Sequence, residues 1–484
     1  MRSSRGSKTL SQKERSEYPD APRPHRKRVM TATRESRRAA TLNEARGFAD
    51  WILGHRPSVA TGRRGVLGYV VLALAGSIIA FLRIPSSSLN TLWAEDASIF
   101  ATDAYASPWW STVLKPYAGY AHLYPRTIAA IVTSTVNMQH VPFLFAAAAC
   151  AMTGMVGAVV AWTFRSRFTR LPRLLLWLLI VAMPIAGVEV NGSIANSHWY
   201  LLVAAFSVLA TRQRGMPGYV VATVVVLTAL LSDPLTILFA PLAAIRLFDG
   251  KPGRWLLLSG FAAGTLIQLL VVTSTRLTPA ATRPTAGELL RVIGYRATLE
   301  PLLGSAGAQA VYGILGSAAL LVGAAVMTMA VLVALTTPSG GLAVVAVAYG
   351  LLILVASTFL RWTPGLDLAQ GGLTGGSRYT VLPDVLGVIA ILAFWTVVDR
   401  WAGWAVKVPV VVVLVAIGVA NLTSIVIDWN VSARATATVW SAEIDAAQRR
   451  CDWTNPGLVT IGETPTGFPL RVSCEALSES ETRP

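Results

Sequence analysis

The sequence predicts an all-α, polytopic membrane protein of about eleven (ten to twelve) transmembrane helices, with its N-terminus inside and its C-terminus outside. Three observations predict it. The 484-residue chain is 54% hydrophobic and only 14% charged, too apolar for a soluble domain of that length. Apolar runs of roughly 16–25 residues, the length that crosses the hydrocarbon, recur from Val66 to Ile427. The charge is uneven as well: of a formal +16, residues 1–64 hold an excess of ten, with 16 Lys/Arg against 6 Asp/Glu.

That first segment, 1–64, is rich in Arg, Ser and Pro and lacks apolar periodicity, so it reads as a disordered, basic cytoplasmic tail. Anionic lipid attracts such tails, so the bilayer is the expected partner and nucleic acid is not. The first apolar run begins only after Arg63 and Arg64, too far into the chain for a cleaved leader. Spans are expected at 66–82, 142–164, 174–188, 198–211, 217–232, 235–248, 255–274, 307–335, 341–360, 379–398 and 408–427, within one membrane domain covering 65–427.

The stretch 123–140, LYPRTIAAIVTSTVNMQH, is apolar but short and punctuated by Thr, Ser, Asn and Gln. If it lies on the outer surface, the short basic connectors all fall on the tail's side: Arg165, Arg167, Arg170 and Arg173; Arg212 and Arg214; Arg246, Lys251 and Arg254; Arg400 and Lys407. The positive-inside rule asks for that arrangement. The stretch is therefore taken as an interfacial amphipathic helix in an outer loop covering 83–141, with an ordinary short span as the alternative.

Residues 428–484 carry 8 acidic and 5 basic residues and read as a small extracytoplasmic tail. Cys451 and Cys474 fall within it; in an oxidising compartment a disulfide between them contributes about 3 kcal/mol. Cys150, in mid-span, is read as packing. Arg outnumbers Lys 35 to 6, the codon signature of a GC-rich bacterium, which places the chain in a bacterial plasma membrane as a multi-pass protein.

On this topology the unusual polar clusters share the outer side: TLWAEDASIFATDAY (91–105), KPYAGYAHLYPR (115–126), VEVNGSIANSHWY (188–200), LSDP (231–234), RVIGYRATLEP (291–301) and GGSRYT (375–380). Transport would instead place polar residues near the midplane of matching halves, and no internal repeat is visible. Glu95 and Asp96 are the leading candidates. Carboxylates held against Trp93 and Phe100 beside a bilayer gain proton affinity and can act as bases. Neighbouring side chains point in different directions, so Asp96 is expected to face the reaction and Glu95 to hold the loop; pairing with Lys115 and Arg126 is the alternative. Asp103 is a third acid or an orienting partner. For an anion, Arg378 is chosen, with Arg126 and His122 from the surface helix as neighbours and with Lys115 and Tyr379 also counted as substrate contacts; an interfacial anchor beside Tyr379 is the other reading of Arg378. Arg296, with Arg291, forms a basic excess in the loop 276–306 that reads as a phosphate or headgroup site or as the tolerance of a longer loop. Asn196, His198 and Trp199 read as a sugar contact or as an aromatic belt, and Asp233 before Pro234 as a turn cap. No His/Asp/Glu spacing suggests a metal site.

An acidic pair early in the first large outer loop, a surface helix from LYPR onward, a polar NSHWY turn and an Arg-Tyr opening a late span together resemble the GT-C class of membrane glycosyltransferases over residues 66–427. Several related groups carry two acids on separate turns of this loop, whereas here they are adjacent, which leaves the choice of base between them open. The resemblance implies transfer of a hexosyl or pentosyl group, with inversion, from a polyprenyl-phosphate sugar to an acceptor hydroxyl on a glycan or lipid-linked acceptor at the outer leaflet. It also implies that Asp96 or Glu95 is the base, and that neither cofactor nor metal is needed. A flippase or transporter of lipid-linked sugar, and a non-catalytic scaffold acting through 428–484, are the competing functions.

Overall fold

The computed structural model describes residues 40–41, 43–54, 62–274, 282–336, 340–363, 366, 376–401, 403–435, 437–452, 454 and 457–481. Most of the tail expected over 1–64 lies outside the described residues, as does Gly375 of the GGSRYT motif. The chain divides into residues 1–48 and a main unit from Ala49 onward. In the first, 43–48 are helical; in the second, Ala49, Ile52 and Leu53 are buried in the main core, which corrects the expectation of an unpacked tail at that point.

The main unit is built from helices α1 (Arg63–Leu82), α2 (Leu123–Thr135), α3 (Val141–Thr163), α4 (Arg170–Val181), α5 (Ser197–Leu209), α6 (Gly215–Leu230), α7 (Arg254–Ser274), α8 (Glu300–Leu315), α9 (Ser317–Leu335), α10 (Gly341–Leu360), α11 (Val381–Trp401) and α12 (Trp404–Ile427). Among the described residues seven helices, α1, α3, α7, α9, α10, α11 and α12, are long and apolar enough to cross a membrane. Small residues let them approach: a Cβ added at Gly154 of α3 would collide with the Ala73 carbonyl and Ser77 of α1. The fold class is thus all-α and membrane-like.

Several expected boundaries shift. The run 174–188 ends as a helix at Val181, since Pro184 cannot continue the hydrogen-bond ladder. The run 235–248 becomes a tight turn of helix, Pro234–Phe239, followed by Ala240–Ile245. The run 307–335 is broken at Gly316, whose φ of 55° suits glycine, so that α8 and α9 are separate helices. A Cβ at Gly294 would meet Leu320 and one at Gly323 would meet Thr298, so the start of α9 packs on the π-helical turn Tyr295–Leu299. Helix α2 has 13 residues, about 20 Å at ~1.5 Å per residue, and is shorter than the hydrocarbon is thick.

The C-terminal segment folds as α13 (Trp440–Arg450), an antiparallel hairpin of β1 (Leu458–Glu463) and β2 (Pro469–Ser473), and α14 (Cys474–Glu481). Cys451 and Cys474 are joined by a disulfide, and Cys150 is free and buried. This module is no loose tail. Ile461, Leu470, Val472 and Trp440 share one apolar cluster with Leu92 and Phe100 of the loop after α1 and with Phe145 of α3. The Ala94 N–H donates to the Thr464 carbonyl (2.7 Å), the Trp440 indole to the Met138 carbonyl (2.9 Å), and the Arg471 N–H to the Thr102 hydroxyl (3.0 Å).

Candidate active site

A cavity of about 680 Å³ opens where several helices end or begin together. Its walls come from the loop after α1 (Glu95, Phe100), the segment before α2 (Tyr117, Tyr120, His122), the start of α5 (Asn196, His198, Trp199), the turn after α6 (Asp233), the ends of α7 and α10 (Leu269, Leu360, Arg361) and the turn before α11 (Arg378, Tyr379). Alternating helix direction brings these sequence-distant segments to one end of the bundle. At the other end of α6, Tyr219 donates to Asp249 (2.8 Å), Arg246 pairs with the same carboxylate (3.0 Å) and Arg212 pairs with Asp50 (2.5 Å), so part of the basic face is internally neutralised.

The acidic pair is placed in the reverse of the expected order. Glu95 lines the cavity and Asp96 is buried, 1% exposed, with its carboxylate accepting the Ala195 N–H at 2.8 Å. Both residues begin a helical turn, where successive side chains diverge by about 100°, so only one can face the open space. The shorter acid reaches the neighbouring backbone and the longer one extends into the cavity. Asp96 therefore ties the loop after α1 to the turn that leads into α5. Beyond it sits Arg434 of the C-terminal segment, 3% exposed, donating to the carbonyls of Asn191 (2.5 Å) and Gly192 (3.1 Å).

Burial pushes the Asp96 carboxyl up to about 7, outweighing the Ala195 N–H and the Arg434 charge, which favour the carboxylate. A raised native carboxyl binds a proton that the unfolded chain, with an ordinary value near ~4, does not yet hold. Its contribution to stability therefore grows as pH falls from about 7 towards about 4 and is lost on the way back up. We expect the unfolding midpoint in detergent to rise less between pH 7.5 and 5 in Asp96→Asn than in the parent chain. An identical pH response in both would contradict it. Glu300, also pushed up to about 7 by burial, supplies a share of the same sign that the variant keeps.

Four other expected substrate contacts, Asp103, Lys115, Arg126 and Arg296, do not line the cavity and are paired elsewhere. Asp103 is shared by Lys115 (2.5 Å) and Arg126 (2.6 Å), and Arg126, 1% exposed, lies 5.0 Å from the centre of the Phe100 ring. This triad braces Phe100 from behind, and none of the three lines the cavity. Burial lowers the Arg126 affinity for its proton and Asp103 offsets that. Arg296 is likewise consumed locally, paired with Glu300 at 2.7 Å and lying over Tyr295.

The cavity unites Glu95, His122, Asn196, His198, Trp199, Arg378 and Tyr379, all singled out from sequence. The Asn196 amide donates to the Glu189 carbonyl (3.0 Å) and fixes the turn. His198 Nδ1 lies 2.6 Å from Asp233, whose other oxygen accepts the Leu235 N–H, so Asp233 caps its turn and also orients the imidazole. Trp199 meets Tyr379 edge to face at 5.4 Å, and Arg378 lies over the Tyr379 ring with Glu189 and Glu95 as electrostatic partners. Burial keeps His122 well below the ordinary histidine range, helped by His198, Arg126 and Arg361; its imidazole is neutral near pH 7 and cannot serve as the cation first expected of it.

Sequence reasoning passed over Tyr117, Tyr120, Arg361 and Arg434. For Arg361 a signal existed: on the topology expected from sequence it closes a span on the side where the positive-inside rule expects few cations. Among the described residues no cluster of three or more His, Cys, Asp or Glu is placed to hold a metal ion. No family model, curated protein or solved structure matches the chain.

Proposed function

We propose that the chain is a GT-C-type glycosyltransferase of a bacterial plasma membrane, moving a sugar from a polyprenyl-phosphate donor to an acceptor hydroxyl at the outer leaflet. One observation carries this reading. A carboxylate from the loop after α1, Glu95, and two guanidinium groups, Arg361 and Arg378, share a cavity that also holds the Asp233–His198 pair and opens along an apolar flank to the outside of the bundle through Leu269 (46% exposed) and Leu360 (53% exposed). Charged head and apolar flank match a lipid phosphate entering sideways. The volume lies within the ~300–1,000 Å³ of ordinary ligand sites, enough for a glycosyl phosphate and the first isoprene units.

In this reading Glu95 takes the proton of the acceptor hydroxyl while that oxygen attacks the anomeric carbon from the face opposite the phosphate. The sugar–phosphate C–O bond breaks, the electron pair leaves with the phosphate, and Arg361 and Arg378 offset the charge that builds there. The topology that goes with it has eleven spans, with α4, α5, α6 and the 234–248 segment completing the seven long helices, α2 at the outer surface, and the C-terminal module outside. The gathering of the site at one end of the bundle supports it.

Purified chain in proteoliposomes should transfer label from a polyprenyl-phosphate sugar, and Arg378→Gln should raise the donor KM by about 10- to 100-fold, the worth of one charged hydrogen bond. Unchanged donor KM in that variant would remove Arg378 from the phosphate site, and absence of transfer in the parent chain would remove the reading.

A further inference from the structure

Beside the acid and the arginines, the cavity has a wall of rings. His122 sits among Tyr120, Tyr117 and Phe100, with centroids at 4.1, 5.4 and 5.6 Å, and the Tyr120 ring is tilted from it by 33°. Next to it stand His198, at 6.1 Å, and Trp199. The polar atoms of this wall are unequally served. His198 spends Nδ1 on Asp233, whereas both ring nitrogens of His122 and the indole nitrogen of Trp199 are buried without a hydrogen-bond partner.

Both residues are more than nine-tenths buried, at 4% and 3% exposure. A buried polar group left unpaired costs about 1–3 kcal/mol, and native structures hold few. Three such atoms on one cavity wall, on side chains that a phenylalanine could replace in shape, are costly unless a ligand completes them. Their chemistry is specific. A neutral imidazole offers one donor and one acceptor and the indole offers a donor, so together they suit hydroxyl groups, which both give and take hydrogen bonds. The ring faces around them suit the C–H surface of a cyclic ligand. Neither group carries a charge to offer a carboxylate or an ammonium.

We propose that His122 and Trp199 form a sugar-reading subsite, which holds an uncharged glycosyl ring by its hydroxyls against the aromatic wall. The assignment rests on the lipid-linked donor proposed above and adds to it which residues recognise the sugar and which sugars qualify.

The test uses the full-length chain in detergent and three probes: farnesyl phosphate, farnesyl-phosphoryl mannopyranose and farnesyl-phosphoryl arabinofuranose. The parent chain should bind at least one glycosylated probe about tenfold or more tighter than farnesyl phosphate, as two or three new hydrogen bonds would provide. His122→Phe and Trp199→Phe should each bring that ratio towards unity while leaving farnesyl phosphate affinity within about threefold; His122→Gln, which keeps a donor and an acceptor, should retain most of it. Because the unfilled site is strained by its orphan nitrogens, His122→Phe without ligand should unfold at or above the parent temperature. No binding of farnesyl phosphate by the parent overturns the lipid-donor reading. Equal affinity for all three probes, an unchanged ratio in both Phe variants, or a lowered unfolding midpoint in His122→Phe with the sugar preference intact overturns the subsite alone.

Discussion

Glu95→Gln should abolish most sugar transfer, lowering kcat by about 10²–10⁴-fold, the usual worth of a general base, with donor KM little changed. The side chain lines the cavity, and Gln keeps its length while removing its basicity. The informative control is its neighbour. Asp96 accepts the Ala195 N–H at 2.8 Å, and Asn at that position can still accept through its amide oxygen. Asp96→Asn should therefore keep kcat within a few-fold and show its effect in stability and its pH dependence. Steady-state transfer from a polyprenyl-phosphate donor, read for both variants side by side, separates the two roles. Full turnover in Glu95→Gln with loss in Asp96→Asn would return the base to Asp96.

The second large effect is expected at Arg434, far from any motif. Its guanidinium is buried, holds two backbone carbonyls of the turn 191–192 and is the cation nearest the buried Asp96 in electrostatic terms. Arg434→Met leaves those carbonyls and a carboxylate uncompensated, and breaking a buried charge cluster on one side costs about 3–5 kcal/mol. Chemical unfolding in detergent should register that loss. Adding Asp96→Asn should recover part of it, because the stranded charge is then gone; strictly additive losses would show the two residues to be uncoupled.

Legibility in the sequence followed the strength of the local signal. Long apolar runs gave α1, α3, α7, α10, α11 and α12 within a few residues, because crossing a bilayer leaves little freedom in length. The same reasoning ran 307–335 through Gly316, since hydropathy does not register a positive φ, and it ran 174–188 past Pro184. Residue type picked seven of the side chains that meet in the cavity, yet adjacency in sequence carried no direction, so Glu95 and Asp96 were exchanged. Asp103, Lys115 and Arg126 were chosen for being charged near the site; their charges are spent on one another. The pairing of the loop after α1 with Thr464 and Arg471 depends on contacts across more than three hundred residues, and no window along the chain contains it.

That last pairing also sets a schedule. Thr102 and the Arg471 N–H that binds it are 369 residues apart, so at ~5–20 residues per second the ribosome needs roughly 20–75 s between making the loop and making its clamp. During that interval the loop has the tie from Asp96 to the Ala195 N–H but not the one from the hairpin. The residues that line the cavity are all made by Tyr379, so its walls precede the hairpin, and synthesis interrupted late leaves a bundle whose loop at Thr102 lacks that clamp.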